Sequence, residues 1–277
     1  MFATIGRTFD LMRTSWRVLM KDRELILFPV MAGAVILVLL GVFAGFGAAA
    51  GSFDRLSAAG AEGAEAQPVD VVLGVVLYAL TYFVVIFFNS ALVAAALERL
   101  RGGDPNVGSG LRAAAAHLPA IAGWAVVAAT VGLLLQAIRD RTDNALGRLA
   151  VSLAGGVWAY MTFFVVPVLV AEGIGPIAAV RRSGGLFRST WGRQVTASFG
   201  FGIVYIVALL IAFAPAAALF AVAPIAGLVL GVVLMALAMG AVMALEGIFK
   251  AALYQFANGE GSHEFDQRTL QSAYRSL

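Results

Sequence analysis

The chain has 277 residues, 61% of them hydrophobic and only 13% charged, with a formal net charge of +3. Soluble domains carry roughly a quarter charged residues, so this composition excludes an ordinary soluble globular protein. There is no cysteine, and the two histidines are His117 and His263, which excludes disulfides, cysteine nucleophiles, thiolate metal sites and a histidine-rich metal cluster within one chain.

Residues 1–24 predict an amphipathic helix. Phe2, Ile5, Phe9, Met12, Trp16 and Leu19 recur at spacings of three and four, while Arg7, Arg13, Arg17 and Lys21 occupy other faces. A basic helix with Phe and Trp on its apolar side belongs at headgroup level. Phe9 and Trp16 are therefore read as interfacial anchors, with anionic lipid headgroups as their partners. A cleavable signal peptide fits poorly, because the apolar run starts only at Leu25 and is far longer than a signal core.

Apolar runs follow at 25–50, 71–97, 119–138, 149–171, 195–222 and 225–245. Each reaches about the 20 helical residues that cross a ~30 Å hydrocarbon core. The loop Gly51–Asp70 holds Asp54, Glu62, Glu65 and Asp70 among Ala and Gly and reads as flexible and solvated. Short segments resembling the N-terminal helix precede the third and fifth runs. They are Val107–Leu118 and Pro176–Arg193, the latter with Phe187 and Trp191 one helical turn apart as further interfacial anchors. The expected fold is all-α: a polytopic membrane protein of one domain, with six transmembrane helices arranged as three hairpins. Each hairpin follows a cytoplasmic interfacial amphipathic helix, and a cytoplasmic tail closes the chain at 257–277. Pro167 and Pro215 should kink their spans, and Pro224 marks a tight turn. Gly41–Gly45 and Gly227–Gly231 are GxxxG patterns that let helices approach closely.

Lysine and arginine set the orientation. Arg55, Arg139, Arg141 and Arg148 fall on one side, and all the other basic residues fall on the opposite side. Both termini are therefore expected in the cytoplasm. This dispersal over several segments fits the inside-positive rule better than a nucleic-acid stripe, so no nucleic acid is expected as partner.

Glu98, Glu172 and Glu246 close the second, fourth and sixth runs at the expected cytoplasmic boundary. Carboxylates beside hydrocarbon are costly and are usually paired or functional. With Arg181, Arg182, Arg188 and Lys250 they form a candidate polar cluster at the cytoplasmic face. It could bind a cation, clamp the interfacial helices, or simply meet water. Inside the spans, Asn89 is the clearest polar residue, with weaker polarity at Tyr78, Tyr82, Gln136, Tyr160, Thr162 and Tyr205. Interhelical packing accounts for such a residue by default, and solute contact is the alternative. No HExxH, Walker-type or GxSxG pattern occurs, so no catalytic, cofactor or metal site is expected and the chain is read as non-enzymatic.

Ser15–Pro29 (SWRVLMKDRELILFP), Val166–Gly192 and Leu253–Tyr274 resemble an uncharacterised family of bacterial six-helix membrane proteins. AVRRSGGLFRSTWG (Ala179–Gly192) also resembles the interfacial helices of a wider bacterial group, some members of which are fused to glycerophosphodiester phosphodiesterase domains. The resemblance implies the six-helix architecture and an inner-membrane setting, and it brings no activity. Two functions compete. One is a non-catalytic membrane module that engages lipid or partner proteins at the cytoplasmic face. The other is a channel or transporter for a small or lipid-like solute, with Asn89 and the glutamates near its path.

Overall fold

The computed structural model describes residues 13–53, 55, 67–191 and 201–261, and among them the chain is all-helical. Helix α1 covers 13–21, and a 3-10 turn at Arg23–Ile26 leads into α2 (Leu27–Ala49). Then come α3 (Pro68–Leu100), α4 (Val107–Ala116), α5 (Leu118–Asp140), α6 (Ala145–Thr162), α7 (Val165–Glu172), α8 (Pro176–Trp191), α9 (Phe201–Phe220) and α10 (Pro224–Ala257). Five segments are long and apolar enough to cross a membrane: Arg23–Ala49, Pro68–Leu100, Leu118–Asp140, Ala145–Glu172 and Pro224–Ala257. Of the run expected at 195–222, the described residues show helix from Phe201 to Phe220, and residues 192–200 lie outside them.

Local sequence explains the starts and stops. Pro68, Pro176 and Pro224 stand first in their helices, where a missing N–H costs nothing. Asn106 caps α4 by accepting from the Ser109 N–H at 2.9 Å, and the Ser109 hydroxyl accepts from the Asn106 N–H at 3.0 Å. Gly173 ends α7 at φ +64, a left-handed conformation that favours glycine. The fourth span is broken at Phe163–Phe164, one turn before the expected kink residue Pro167. Proline offers no N–H to the carbonyl four residues back, so the helix parts there. The Ser183 hydroxyl of α8 accepts the freed Phe164 N–H at 2.9 Å.

The molecule has two unlike ends. The basal end holds α1, α4 and α8; the distal end holds the end of α2, the start of α3 and the connections at 141–144 and 221–223. Three helices, α3, α6–α7 and α10, run from distal to basal. About 20 residues of helix, or ~30 Å, counted from their distal starts reach Phe87, Phe164 and Met243. Distal to those marks few side chains are buried: on α6 only Val151 is. Basal to them the helices turn inward on one another. Ser90–Val93, Ala95–Leu97 and Leu100 of α3, Val165 and Pro167–Leu169 of α7, and Ala251–Gln255 of α10 are buried. Val18 and Leu19 of α1, Ala114 of α4 and Ala179 of α8 close this core from outside.

Ion pairs pin the basal layer together. The Arg99 guanidinium donates to both carboxylate oxygens of Asp22 and to Asp104, tying α3 to the turn after α1. The Val107 N–H donates to Glu24 at 3.4 Å, and Arg101 pairs with Glu260 at 3.2 Å. At the distal end Arg55 pairs with Asp70 at 2.6 Å. This contact ties Arg55 to the first turn of α3; positions 54 and 56–66 lie outside the described residues. Three buried polar groups of the basal core, the Ser15 and Ser90 hydroxyls and the Gln255 amide, have no hydrogen-bond partner among the described residues.

Two expectations need correction. Glu246 does not end its helix, because α10 continues three further turns to Ala257. Its residues Gly247–Phe249 and Ala251–Gln255 are buried, so their apolar character serves a protein core rather than lipid. The two GxxxG patterns also differ. A Cβ at Gly231 would come within 3.2 Å of the Ala216 side chain, so the glycine lets α9 close on α10, whereas Gly41 and Gly45 face open space.

Candidate functional site

The three glutamates occupy three separate junctions. Glu98 accepts from the Ser109 hydroxyl of α4 at 2.9 Å. Glu172 accepts from Arg182 of α8 at 2.9 Å and from the Tyr254 hydroxyl of α10 at 3.0 Å, and Arg182 also donates to Asn258 at 2.8 Å. Glu246 pairs with Lys250 at 2.7 Å and accepts from the Tyr205 hydroxyl of α9 at 3.3 Å. Among the described residues no three His, Cys, Asp or Glu side chains are grouped to hold a metal. The single acidic cluster expected from sequence therefore resolves into separate contacts. Glu98 and Glu172 each hold the basal helix that follows in the chain, and Glu246 does something else. Arg181 and Arg188 are exposed.

Glu246 lines a cavity of about 440 Å³. Asn89 and Val93 of α3, Tyr160 and Thr162 of α6, Phe163 at the helix break, Phe187 of α8, and Phe249 and Lys250 of α10 complete most of its wall. The helix break matters here. It turns the chain between Tyr160 and Val166, so Phe163 leaves the helix face and comes under Lys250, whose ammonium lies 5.5 Å from the ring centre. The rings of Tyr160 and Phe187 are 4.2 Å apart, which fixes α8 against α6. The Thr162 hydroxyl is spent on the Trp158 carbonyl at 2.8 Å. Among the described residues the side chains of Asn89 and Tyr160 make no hydrogen bond. Both oxygens of Glu246 are engaged, one by Lys250 and one by Tyr205. Unused donors remain on Asn89, the Tyr160 hydroxyl and the ammonium of Lys250.

Residues singled out for different reasons therefore meet in one place: Asn89 as intramembrane polarity, Glu246 and Lys250 as helix-end charge, and Phe187 as an interfacial anchor. Phe187 is only 3% exposed and packs inward, so it does not face lipid. Trp16 is 48% exposed on α1. Phe9 and the Trp191 side chain lie outside the described residues. Tyr205, Tyr254 and Ser183 were missed as partners. Tyr205 had been noted only as weak polarity within a span, and no local pattern links it to Glu246 41 residues away.

A second hollow, about 1180 Å³, opens distally between α2, α9 and α10. Every residue lining it is apolar, from Pro29, Val30 and Gly33 on α2 through Val85 on α3 and Phe213 on α9 to Val232, Met239 and Met243 on α10.

The model of one protein family, described as a family of unknown function (DUF6159), matches residues 69–264. This stretch contains every residue of the cavity and leaves α1 and α2 outside. No curated protein and no solved structure matches the chain.

Proposed function

The chain belongs to that family of unknown function, and from this premise we propose that it is a non-catalytic membrane module that engages lipid at its basal end. In this reading it is a single domain of six spans, three hairpins each preceded by an interfacial helix, in the bacterial inner membrane with both termini cytoplasmic. The likeness of Ala179–Gly192 to membrane domains fused to glycerophosphodiester phosphodiesterases supports a lipid setting. The observation that carries the reading is the cavity. Donors and a charged pair converge at the level where about 20 residues of each returning helix have been used up, which is headgroup depth rather than mid-bilayer.

Passage of a hydrophilic solute has less support, because the hollow beyond the cavity has an entirely apolar wall and offers no polar path onward. The test has two parts. Reporter fusions at the C-terminus and after Arg188 should read cytoplasm, and one after Gly63 should read outside. Native mass spectrometry of the protein from mild detergent should show retained lipid. A C-terminus outside the cell, or a chain that carries no lipid at all, would overturn the reading.

A further inference from the structure

Two helices, α3 and α10, contribute to both hollows, each with different residues. On α3, Val85 lines the distal groove, while Asn89 and Val93, one and two turns further on, line the cavity. On α10 the groove residues Val232, Met239 and Met243 lead at helical spacing to Glu246 and Lys250 in the cavity. Each helix thus presents one continuous face to both spaces. The wall changes from apolar to polar within a single turn, between Val85 and Asn89 and between Met243 and Glu246. That changeover falls at the edge of the hydrocarbon core as counted from the distal helix starts, about 20 residues away.

The chemistry of each end selects its occupant. In the cavity Lys250 balances the charge of Glu246, whose two oxygens each accept one hydrogen bond, and Lys250, Asn89 and Tyr160 keep donors to spare. Such a set accepts an anionic oxygen, and a charged donor to phosphate makes a strong hydrogen bond. Of the aromatic faces a quaternary ammonium could use, that of Phe163 is already covered by Lys250. The groove offers only hydrocarbon contact. At about 1180 Å³ it exceeds the ~300–1,000 Å³ of compact ligand sites, so it has room for long chains.

Resting on the lipid reading above, we propose that cavity and groove form one site for an anionic diacyl phospholipid of the basal leaflet. The phosphate sits against Lys250 and Asn89, and the acyl chains run distally between α2 and α10. The ligand then has the same sense as its neighbours in the leaflet and enters sideways without crossing the bilayer.

The test uses the delipidated full chain in detergent micelles, titrated with dioleoyl phosphatidylglycerol or dioleoyl phosphatidylcholine and followed by native mass spectrometry. One phosphatidylglycerol per chain is expected, with phosphatidylcholine weaker. Lys250→Met should weaken phosphatidylglycerol binding roughly tenfold, the loss of one charged hydrogen bond, and Lys250→Arg should restore most of it. Gly33→Phe fills the groove at a position where an added Cβ meets nothing within 4 Å, and it should weaken binding as much without touching the polar end. Replacing the exposed Arg181 and Arg188 together by Gln should change little.

The opposite pattern, loss with the arginine pair but none with Lys250→Met or Gly33→Phe, would leave the lipid reading standing and overturn the internal site. Displacement of the lipid by millimolar glycerol 1-phosphate, with no effect of Gly33→Phe, would identify a free-anion site and overturn the acyl half of the proposal. No lipid binding by any variant would overturn both readings. Should Lys250→Met fail to fold, Asn89→Leu and Gly33→Phe carry the same comparison.

Discussion

Along α10, Gly247–Phe249 and Ala251–Gln255 are buried, while Ile225, Leu228, Val229, Val232 and Val233 of the same helix stand largely exposed. The residue types hardly differ between the two stretches; their surroundings do. The hydrophobic effect needs water to drive it. Lipid tails are as apolar as leucine, so the distal turns gain little by packing and are left splayed. In the proposed setting the basal turns extend past the hydrocarbon, by the ~20 residues that span it, and there they bury one another. The molecule is thus a loose palisade standing on a core of soluble character.

The comparison can be broken by truncation. Leu92→Ala, at a side chain 1% exposed in the basal core, should cost about 3 kcal/mol. Leu228→Ala, at a side chain 61% exposed distally, should cost less than ~0.5 kcal/mol. Unfolding by sodium dodecyl sulfate, followed by circular dichroism, measures both. Equal costs would mean that the two ends share one kind of packing.

Polar residues sharpen the same contrast in the other direction. Gln255 is fully buried with both ends of its amide unpartnered among the described residues. Removing that desolvation cost with Gln255→Met should stabilise the basal layer by about 1 kcal/mol in the same assay. A loss of stability instead would mean that the amide is satisfied in the folded protein.

The smallest effect concerns the pins at the rim. Glu172 and Arg182 are partly exposed, so their pair contributes ~0.5 kcal/mol. Glu172→Gln should speed hydrogen exchange over Pro176–Trp191 a few-fold and leave α5 unchanged. Changing Arg182 as well should cost less than the sum of the single changes, because the two residues act through one contact. Additive costs would assign each residue to a separate role.

The distal limits of the helices were legible in the sequence. Pro68, Asn144 and Pro224 announce their starts, and the expected spans begin within a few residues of the observed helices. Two basal limits were legible as well, expected at 97 and 171 and observed at Leu100 and Glu172. The third was not: Glu246 stood out as a helix-end charge, yet α10 runs on to Ala257, because its last turns are apolar for a protein core and composition does not change at the join. The site was legible only in pieces. Asn89, Glu246, Lys250 and Phe187 each stood out for its type, yet their convergence depends on how α3, α6, α8 and α10 pack, and no local spacing records that. The break at Phe163–Phe164 was half legible: Pro167 foretold it, but not that Ser183 would receive the freed N–H.

That break also makes the joints between the two layers unequal. Helices α3 and α10 pass from one layer to the other as unbroken rods of about 50 Å, and a bilayer that thins or thickens tilts such rods. Any tilt imposed on their distal halves reaches the basal core undiminished. The third crossing, α6–α7, has a joint at the same depth and can bend there, yielding where the rods do not. The walls on either side of the cavity thus stand on unequal supports, α7 and α8 beyond a joint and α3 and α10 on unbroken helices.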